Sequence, residues 1–436
     1  MERKSVNSPA EETSSKEVSV STEKPLWKSP ELLSPAGSFE SLTAAMDAGC
    51  DAVYFGVEQL NMRVRAAQFI TLDDLPRIAA MTRERGVRAY LTLNTILYDH
   101  DIRLMQQITS AAKDAGLDAI IAADVAALVY AREIGMPVHL STQANVTNAE
   151  TIQFYSAYAD AVVLARELTL TQVESIAQEI DRKNITGPSG QNIRLEVFAH
   201  GALCMAVSGK CYLSLHSHNA SANRGACIQN CRRTYVVTDK EDGNELEIDN
   251  EYIMSAKDLC TIGFLDKLLA AGVQILKIEG RGRPADYVYT VTRCYREAID
   301  AVQDGTYHED KIAGWTERLA TVYNRGFWDG YYLGRKMGEW SDVHGSKATQ
   351  KKLYAARGLK YYDKAGVAEL LADSHPLQPG DRIMVTGPTT GYQEFELGEL
   401  RVEGKAVEEV RKGEVFTTKV PVRIRPSDKL YKIVPA

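Results

Sequence analysis

Cys204, Cys211, Cys227 and Cys231 stand in one short segment of a 436-residue chain that holds only seven cysteines. Their spacing is C-x6-C-x15-C-x3-C, interleaved with Gly201, Gly209 and Gly225. Clustered thiolates are soft ligands that suit iron–sulfur clusters and zinc. The pattern is neither the repeated C-x2-C of zinc ribbons nor the C-x2-C-x2-C run of bacterial ferredoxins. Four thiolates at mixed spacing, with glycines between them, can wrap a [4Fe–4S] cluster; structural zinc and unligated thiols are the alternatives that the spacing leaves open. Cys260, in Lys257-Asp258-Leu259-Cys260, is a second candidate for the fourth ligand. Cys50 and Cys294 fall within helical apolar patterns and read as packing residues.

His200 lies four residues before Cys204, at the end of an expected strand. It could act as a general base, donate to a substrate, or form a Cys–His nucleophile pair with Cys204. The last role competes with metal ligation for one thiolate, and the simplest reading is a histidine that caps a strand. Other strand ends carry Ser34, Asn94, Asp124, Thr142-Gln143-Ala144-Asn145, Arg166-Glu167 and Glu279-Gly280-Arg281. An unpaired buried polar group costs about 1–3 kcal/mol, so this many amides and charges at one rim imply a polar ligand. Arg166 and Arg281 suit bidentate clamping of carboxylates. The alternative is a salt-bridge ring of Arg166, Glu167, Glu279 and Arg281. The expected site is therefore a pocket lined by His200, Gln143, Asn145, Arg166, Glu279 and Arg281 beside the four cysteines.

Eight short β-rich runs precede or separate helical segments: Glu31-Ser34, Ala52-Phe55, Arg88-Leu93, Ala119-Ala122, Val138-Ser141, Ala161-Leu164, Leu195-Phe198 and Ile275-Ile278. Between them, apolar residues recur at helical spacing, as in Leu104, Ile108, Ala111 and Ala112. Gly49, Gly86, Gly116 and Gly272 each fall just before a strand, where a left-handed glycine would end a helix. The expected fold class is α/β, a (β/α)8 TIM-like barrel, with an open doubly wound sheet as the alternative. The rim of such a barrel at the strand C-termini is where chemistry is placed.

Roughly 75 residues separate the seventh and eighth runs, where about 2–6 suffice for a simple connection, and the cysteines open this excursion. Tyr235-Thr238 and Tyr252-Ser255 read as a hairpin around the polar turn Lys240-Glu241-Asp242-Gly243-Asn244. Helices are expected near Tyr287-Val302 and Lys311-Tyr323, followed by an aromatic, glycine-containing loop, Asn324 to Tyr332, folded over the barrel. Short β runs at Arg382-Val385, Glu394-Leu397, Val415-Lys419 and Val422-Ile424 then suggest a small β-barrel domain. The expected organisation is a disordered tail over 1–26, a barrel over 27–345 with a Cys-rich insertion at about 200–260, and the β-barrel domain over 346–436.

The formal net charge is −7, so no global basic field advertises a nucleic acid. From Lys347 onward the balance is +4, with 16 Lys+Arg against 12 Asp+Glu, which leaves −11 for the rest. A mildly basic C-terminal module on an acidic body fits docking of a polyanion. No apolar run approaches the roughly 20 residues that cross a bilayer, and the first residues lack a signal-peptide core, which argues for the cytoplasm. In a reducing compartment clustered cysteines read as metal ligands or redox groups. There is no H-E-x-x-H helix, G-x-S-x-G elbow, G-x-x-x-x-G-K-[ST] loop or strand followed by G-x-G-x-x-G, which weakens proteolysis, ATP use and dinucleotide binding.

The stretches Glu31-Leu-Leu-Ser-Pro-Ala-Gly37, Asp51-Ala-Val-Tyr-Phe-Gly56, His139-Leu-Ser-Thr-Gln-Ala-Asn145, His200-Gly-Ala-Leu-Cys204, Ser208-Gly-Lys-Cys211 and Lys277-Ile-Glu-Gly-Arg281 occur in order. Together they resemble the collagenase-like peptidase family U32, of unknown catalytic type, from about Glu31 to Arg325. Cys227-Ile-Gln-Asn-Cys231 is most similar to the branch of prephenate-dependent tRNA 5-hydroxyuridine hydroxylases. The resemblance implies an iron–sulfur enzyme that hydroxylates the wobble uridine of tRNA, with prephenate as a required small molecule and the cluster on Cys204, Cys211, Cys227 and Cys231. An electron donor or partner protein is left unnamed. A collagenase-like peptidase, or a hydroxylase acting on ribosomal RNA or in the ubiquinone pathway, is the alternative within the same resemblance. Arg283-Pro284 departs from the Lys-Ser that many relatives carry there.

Overall fold

Gly116 and Gly272 close their helices at φ +78° and +87°, and each is followed within three residues by a barrel strand. A Cβ disfavours that backbone, so glycine ends the helix sharply and frees the chain to extend. The structure, a computed structural model, describes residues 29–62, 70–208, 210–238, 241, 245–246, 254–334, 338–343 and 345–436. The tail expected over 1–26 lies outside them.

Strands β1 (Glu31–Pro35), β2 (Ala52–Phe55), β3 (Arg88–Leu93), β4 (Ala119–Ala122), β5 (Val138–Leu140), β6 (Ala161–Val163) and β7 (Arg194–Ala202) pair in parallel, each with the next. After β7 the insertion carries β8 (Val237–Thr238) antiparallel to β9 (Glu245–Leu246), and β10 (Asp258–Cys260) antiparallel to β7. Then β11 (Ile275–Ile278) pairs in parallel with both β7 and β1 and closes an eight-stranded barrel. The eight expected strands are all present, and the closure selects the barrel over the open sheet.

Helices α1 (Phe39–Asp47), α2 (Leu75–Glu84), α3 (Ile102–Asp114), α4 (Val125–Ile134), α5 (Ala149–Tyr155) and α6 (Leu170–Lys183) alternate with β1 to β7. The insertion holds α7 (Leu213–His218), α8 (Leu265–Ala270) precedes β11, and α9 (Ala285–Gln303) and α10 (Glu309–Ala320) follow it. Each barrel helix buries one stripe: α3 does so through Met105, Ile108, Thr109 and Ala112, the i, i+3, i+4, i+7 pattern of a half-covered helix. The strands are buried on both faces, as parallel strands under helices must be.

The hairpin differs from expectation. Its second strand is Glu245–Leu246, antiparallel to Val237–Thr238; Tyr252 and Ile253 lie outside the described residues, and Met254 and Ser255 are not in a strand. In the expected loop after α10, β12 (Phe327–Trp328) forms and pairs with β10.

The C-terminal region is an antiparallel sheet of β13 (Gln350–Tyr362), β14 (Val367–Ala372), β15 (Arg382–Gly387), β16 (Gly391–Glu396), β17 (Leu400–Val402), β18 (Lys405–Val407), β19 (Val415–Lys419) and β20 (Lys429–Pro435). Its order is β16-β15-β20-β13-β14-β19-β17-β18, around its own core that includes Leu370, Ile383, Val385, Phe416 and Leu430. Val422–Ile424 is no strand: Pro421 and Pro426 flank it, and proline cannot donate to a ladder. The sheet docks on α1 and α9. Tyr289 stacks on Tyr392 at 4.6 Å between centroids, and Lys352 Nζ lies 2.6 Å from Asp286 Oδ1. No helix among the described residues is long and apolar enough to cross a membrane.

Candidate functional site

At the seam between β7 and β11, Lys277 pairs with Phe198 while Ile278 pairs with His200, so Ala199 has no counterpart. Such a one-residue bulge reverses which face the following side chain takes. Arg194, Glu196 and Phe198 share the barrel interior, but His200 follows Ile278 to the outer face. There its ring packs among Tyr287, Tyr295 and Phe327, with centroids 6.2, 5.5 and 5.6 Å away, and Nδ1 lies 3.4 Å from the Tyr295 hydroxyl. Burial holds the imidazole neutral, with its pKa pushed down to about 3. Cys260 pairs with His200 across the β7–β10 ladder; burial pushes its thiol up to about 11, and it hydrogen-bonds Tyr295.

The four cysteines gather elsewhere. Cys204, Cys211, Cys227 and Cys231 line a cavity of about 400 Å³ at the strand C-termini, and the strand side chains Tyr54, Thr92, Phe198 and Lys277, with Ser141 just past β5, form its floor. Of the expected pocket residues, Gln143, Arg166, Glu279 and Arg281 also line it. His200 and Asn145 do not. Asn145 ends the 142–144 turn in a left-handed backbone at φ 54°, and its Oδ1 is buried without a hydrogen-bond partner among the described residues.

The two arginines are held in place by the chain around them. Arg166 lays its guanidinium 3.7 Å from the centre of the Phe198 ring and donates through Nη1 to the Ala202 carbonyl at 2.8 Å. Arg281 is buried and donates through Nη1 to Asn61 Oδ1 at 3.1 Å and to the Thr92 hydroxyl. Glu167 accepts from the Ser208 backbone N–H at 2.8 Å. The Glu279–Arg281 segment is pressed against two glycines. A Cβ at Gly37 would meet the Arg281 carbonyl oxygen at 1.8 Å, and one at Gly201, where φ is +106°, would meet the Glu279 carbonyl oxygen at 2.6 Å.

The insertion is pinned over the barrel mouth by its own arginines. Arg224 Nη1 donates to Asp101 Oδ2 at 2.6 Å and its guanidinium covers the Tyr98 ring at 4.0 Å; this holds the Asp101 carboxyl below its ordinary pKa. Arg232 donates to the carbonyls of Leu203 and Ala256 and to the Ser255 hydroxyl at 3.0 Å. Burial pushes the Cys231 thiol up, Arg232 opposes the shift, and the charges of Cys204, Cys227 and Cys211 add to it. Cys231 is thus electrostatically coupled to the other three thiols, whereas Cys260 packs with His200 and Tyr295.

Sequence reading did not single out the charged column inside the barrel. Glu196, fully buried, accepts from Lys277 Nζ at 2.7 Å and from His139 Nδ1 at 2.7 Å. His139 Nε2 lies 3.4 Å from Arg194 Nη2, and because a guanidinium only donates, Nε2 accepts and the imidazole proton sits on Nδ1. Arg194 Nη1 bonds Glu31 Oε2 at 2.7 Å, and Glu31 Oε1 accepts from the Tyr90 hydroxyl at 2.6 Å. The available signal was a carboxylate at an alternate position of an apolar strand, Leu195-Glu196-Val197.

A wider cleft of about 710 Å³ separates α9 and α10 from the C-terminal sheet and contains no cysteine. Three of its four lining cations have ion-pair partners, Lys352 with Asp286, Arg382 with Glu394 and Arg318 with Glu297; the fourth is Lys351.

Residues 37–342 match Peptidase family U32. A Porphyromonas gingivalis protein named collagenase is 57% identical over 402 residues, 92% of this chain and 97% of its own length. The tRNA hydroxylation protein P1 of Bacillus subtilis is 32% identical over 371 residues, 83% of this chain and 85% of its own. An rRNA 5-hydroxycytidine synthase of Escherichia coli is 35% identical over 276 residues, 62% of this chain and 39% of its own.

Proposed function

The chain belongs to peptidase family U32, and from that premise we propose that it is a tRNA hydroxylase, forming 5-hydroxyuridine at the wobble position in a prephenate-dependent reaction on an iron–sulfur protein. The observation that carries this reading is that Cys204, Cys211, Cys227 and Cys231 line one cavity together with Arg166 and Arg281. The name of the Bacillus subtilis relative supports it.

Four thiols fit a [4Fe–4S] cluster in donor type and number. Among the described residues no group of three or more Cys, His, Asp or Glu side chains is arranged to hold a single metal ion. Held there, such a cluster would supply one-electron chemistry beside the cavity. The rest of the work falls to the chain. Arg166 and Arg281, oriented by Ala202, Asn61 and Thr92, would bond the two carboxylates of prephenate. Phe198 and Tyr54 offer apolar faces to its ring. The basic region from Lys347 onward would hold tRNA phosphates while the single-stranded anticodon loop presents its base.

The name of the Porphyromonas relative favours a peptidase, for which Cys204 would be the nucleophile and His200 the base. That pair is not assembled: Cys204 lines the cavity, no histidine among the described residues lines it, and His200 is buried behind β7. Nucleoside mass spectrometry of tRNA from a deletion strain, with and without the restored gene, tests the hydroxylase. Loss and recovery of 5-hydroxyuridine is the expected result; an unchanged level removes the tRNA assignment.

A further inference from the structure

The cavity that holds the cysteines has an unbalanced wall. Arg166, Lys210, Lys277 and Arg281 line it against one carboxylate, Glu279, among the described residues. Glu196, behind the wall, offsets the charge of Lys277, so side-chain cations outnumber carboxylates by two before the charge of the cysteine thiolates is counted. The volume, about 400 Å³, is that of a metabolite site.

Lys277 differs from the arginines around it. It is 4% exposed, deep in the barrel, and the β7–β11 bulge lies immediately after it. Its ammonium donates to Glu196 and stands 4.5 Å from the centre of the Tyr54 ring and 5.6 Å from that of Phe198. An ammonium carries three N–H donors, and only one is taken by a carboxylate. Glu196 is itself fixed by the Nδ1–H of His139, whose Nε2 accepts from Arg194. A buried cation braced through two further residues, at the floor of a cation-rich cavity, is a preorganised donor rather than a packing residue.

We propose that Lys277 is a binding residue for a small organic dianion: from the cavity floor its ammonium joins Arg166 and Arg281 in bonding the ligand's two carboxylates, and Glu196 and His139 are positioning residues that hold the ammonium. The assignment rests on reading the cavity as the site of the anionic co-substrate, but it does not require that molecule to be prephenate.

Calorimetric titration of the full-length chain, purified without oxygen, with prephenate and separately with succinate tests it. Wild type binds one dianion per chain. Lys277→Met combined with Glu196→Gln removes both charges together, so no lone carboxylate stays buried, and weakens binding by about 10- to 100-fold, the worth of a charge-assisted hydrogen bond. Lys277→Arg keeps most of the affinity. Glu196→Gln alone weakens binding and Glu196→Asp recovers part of it, whereas a carboxylate with only a structural role would lower the melting temperature and leave the affinity of the folded protein unchanged. Equal affinity of wild type and the double variant overturns the assignment, as does failure of both dianions to bind wild type. Lys277-dependent binding of succinate without any binding of prephenate upholds it and removes prephenate from the proposed reaction. If the double variant does not fold, amine acylation of wild type read by peptide mass spectrometry decides: a saturating dianion protects Lys277, and absence of protection overturns the assignment.

Discussion

His200 stands opposite Ile278 across the β7–β11 seam, one residue out of step with the Phe198–Lys277 pair beside it. That offset separates a buried structural histidine from the cavity, while Phe198 and Lys277, paired before it, keep the inward facing of Glu196 and Ile275.

The depressed pKa of His200 has a direct consequence for stability. Its folded pKa, about 3, lies below its ordinary value of 6.5, so the unfolded chain binds the extra proton first. Stability from this group is complete above pH 6.5 and is lost as pH falls toward 3, at up to about 1.4 kcal/mol per pH unit. Thermal melts of His200→Gln should show a shallower loss over that window than wild type. Identical slopes would mean that the buried imidazole does not set the acid limit.

Substituting the cysteines one at a time separates the ligand set from its neighbours. Cys204→Ser, Cys211→Ser, Cys227→Ser and Cys231→Ser should each lower iron and sulfide content after anaerobic purification, while Cys260→Ser leaves both unchanged. A colourless wild-type protein with stoichiometric zinc would sink the iron–sulfur reading.

The Arg224–Asp101 pair ties the insertion to the loop before α3. Arg224→Ala removes a charge-assisted bond worth about 1–3 kcal/mol and uncovers Tyr98. Limited proteolysis should then cut within residues 205–235 several times faster, with the barrel's melting temperature nearly unchanged. A protease-resistant variant would show that Arg232 and the cavity wall hold the insertion without Arg224.

Gly37 leaves no room for a methyl group, because a Cβ there would meet the Arg281 carbonyl oxygen at 1.8 Å. Gly37→Ala should destabilise the fold by about 1–3 kcal/mol and shift Arg281 out of place. Denaturant melts give the first quantity, and dianion titration gives the second. Wild-type values in both would refute the close approach.

Much of this architecture is local and was legible in the chain. The eight barrel strands fall where glycine-terminated helices give way to short apolar runs, since both signals act within a few residues. Cys204, Cys211, Cys227 and Cys231 stood out by type, and Gln143, Arg166, Glu279 and Arg281 by position at strand ends. The C-terminal strands were harder: Val422–Ile424 looked extended, yet the flanking prolines left the ladder to Lys429–Pro435.

What the sequence alone determined was the barrel, its long insertion and the soft-donor character of the four cysteines, because these depend on residue type and short-range periodicity. Only the tertiary structure decided that His200 and Cys260 lie behind β7, and that Glu196, His139 and Lys277 form a charged column under the cavity. A strand buried on both faces shows no apolar–polar contrast to mark its inner side, and a single unpaired residue, Ala199, reverses the facing of everything after it.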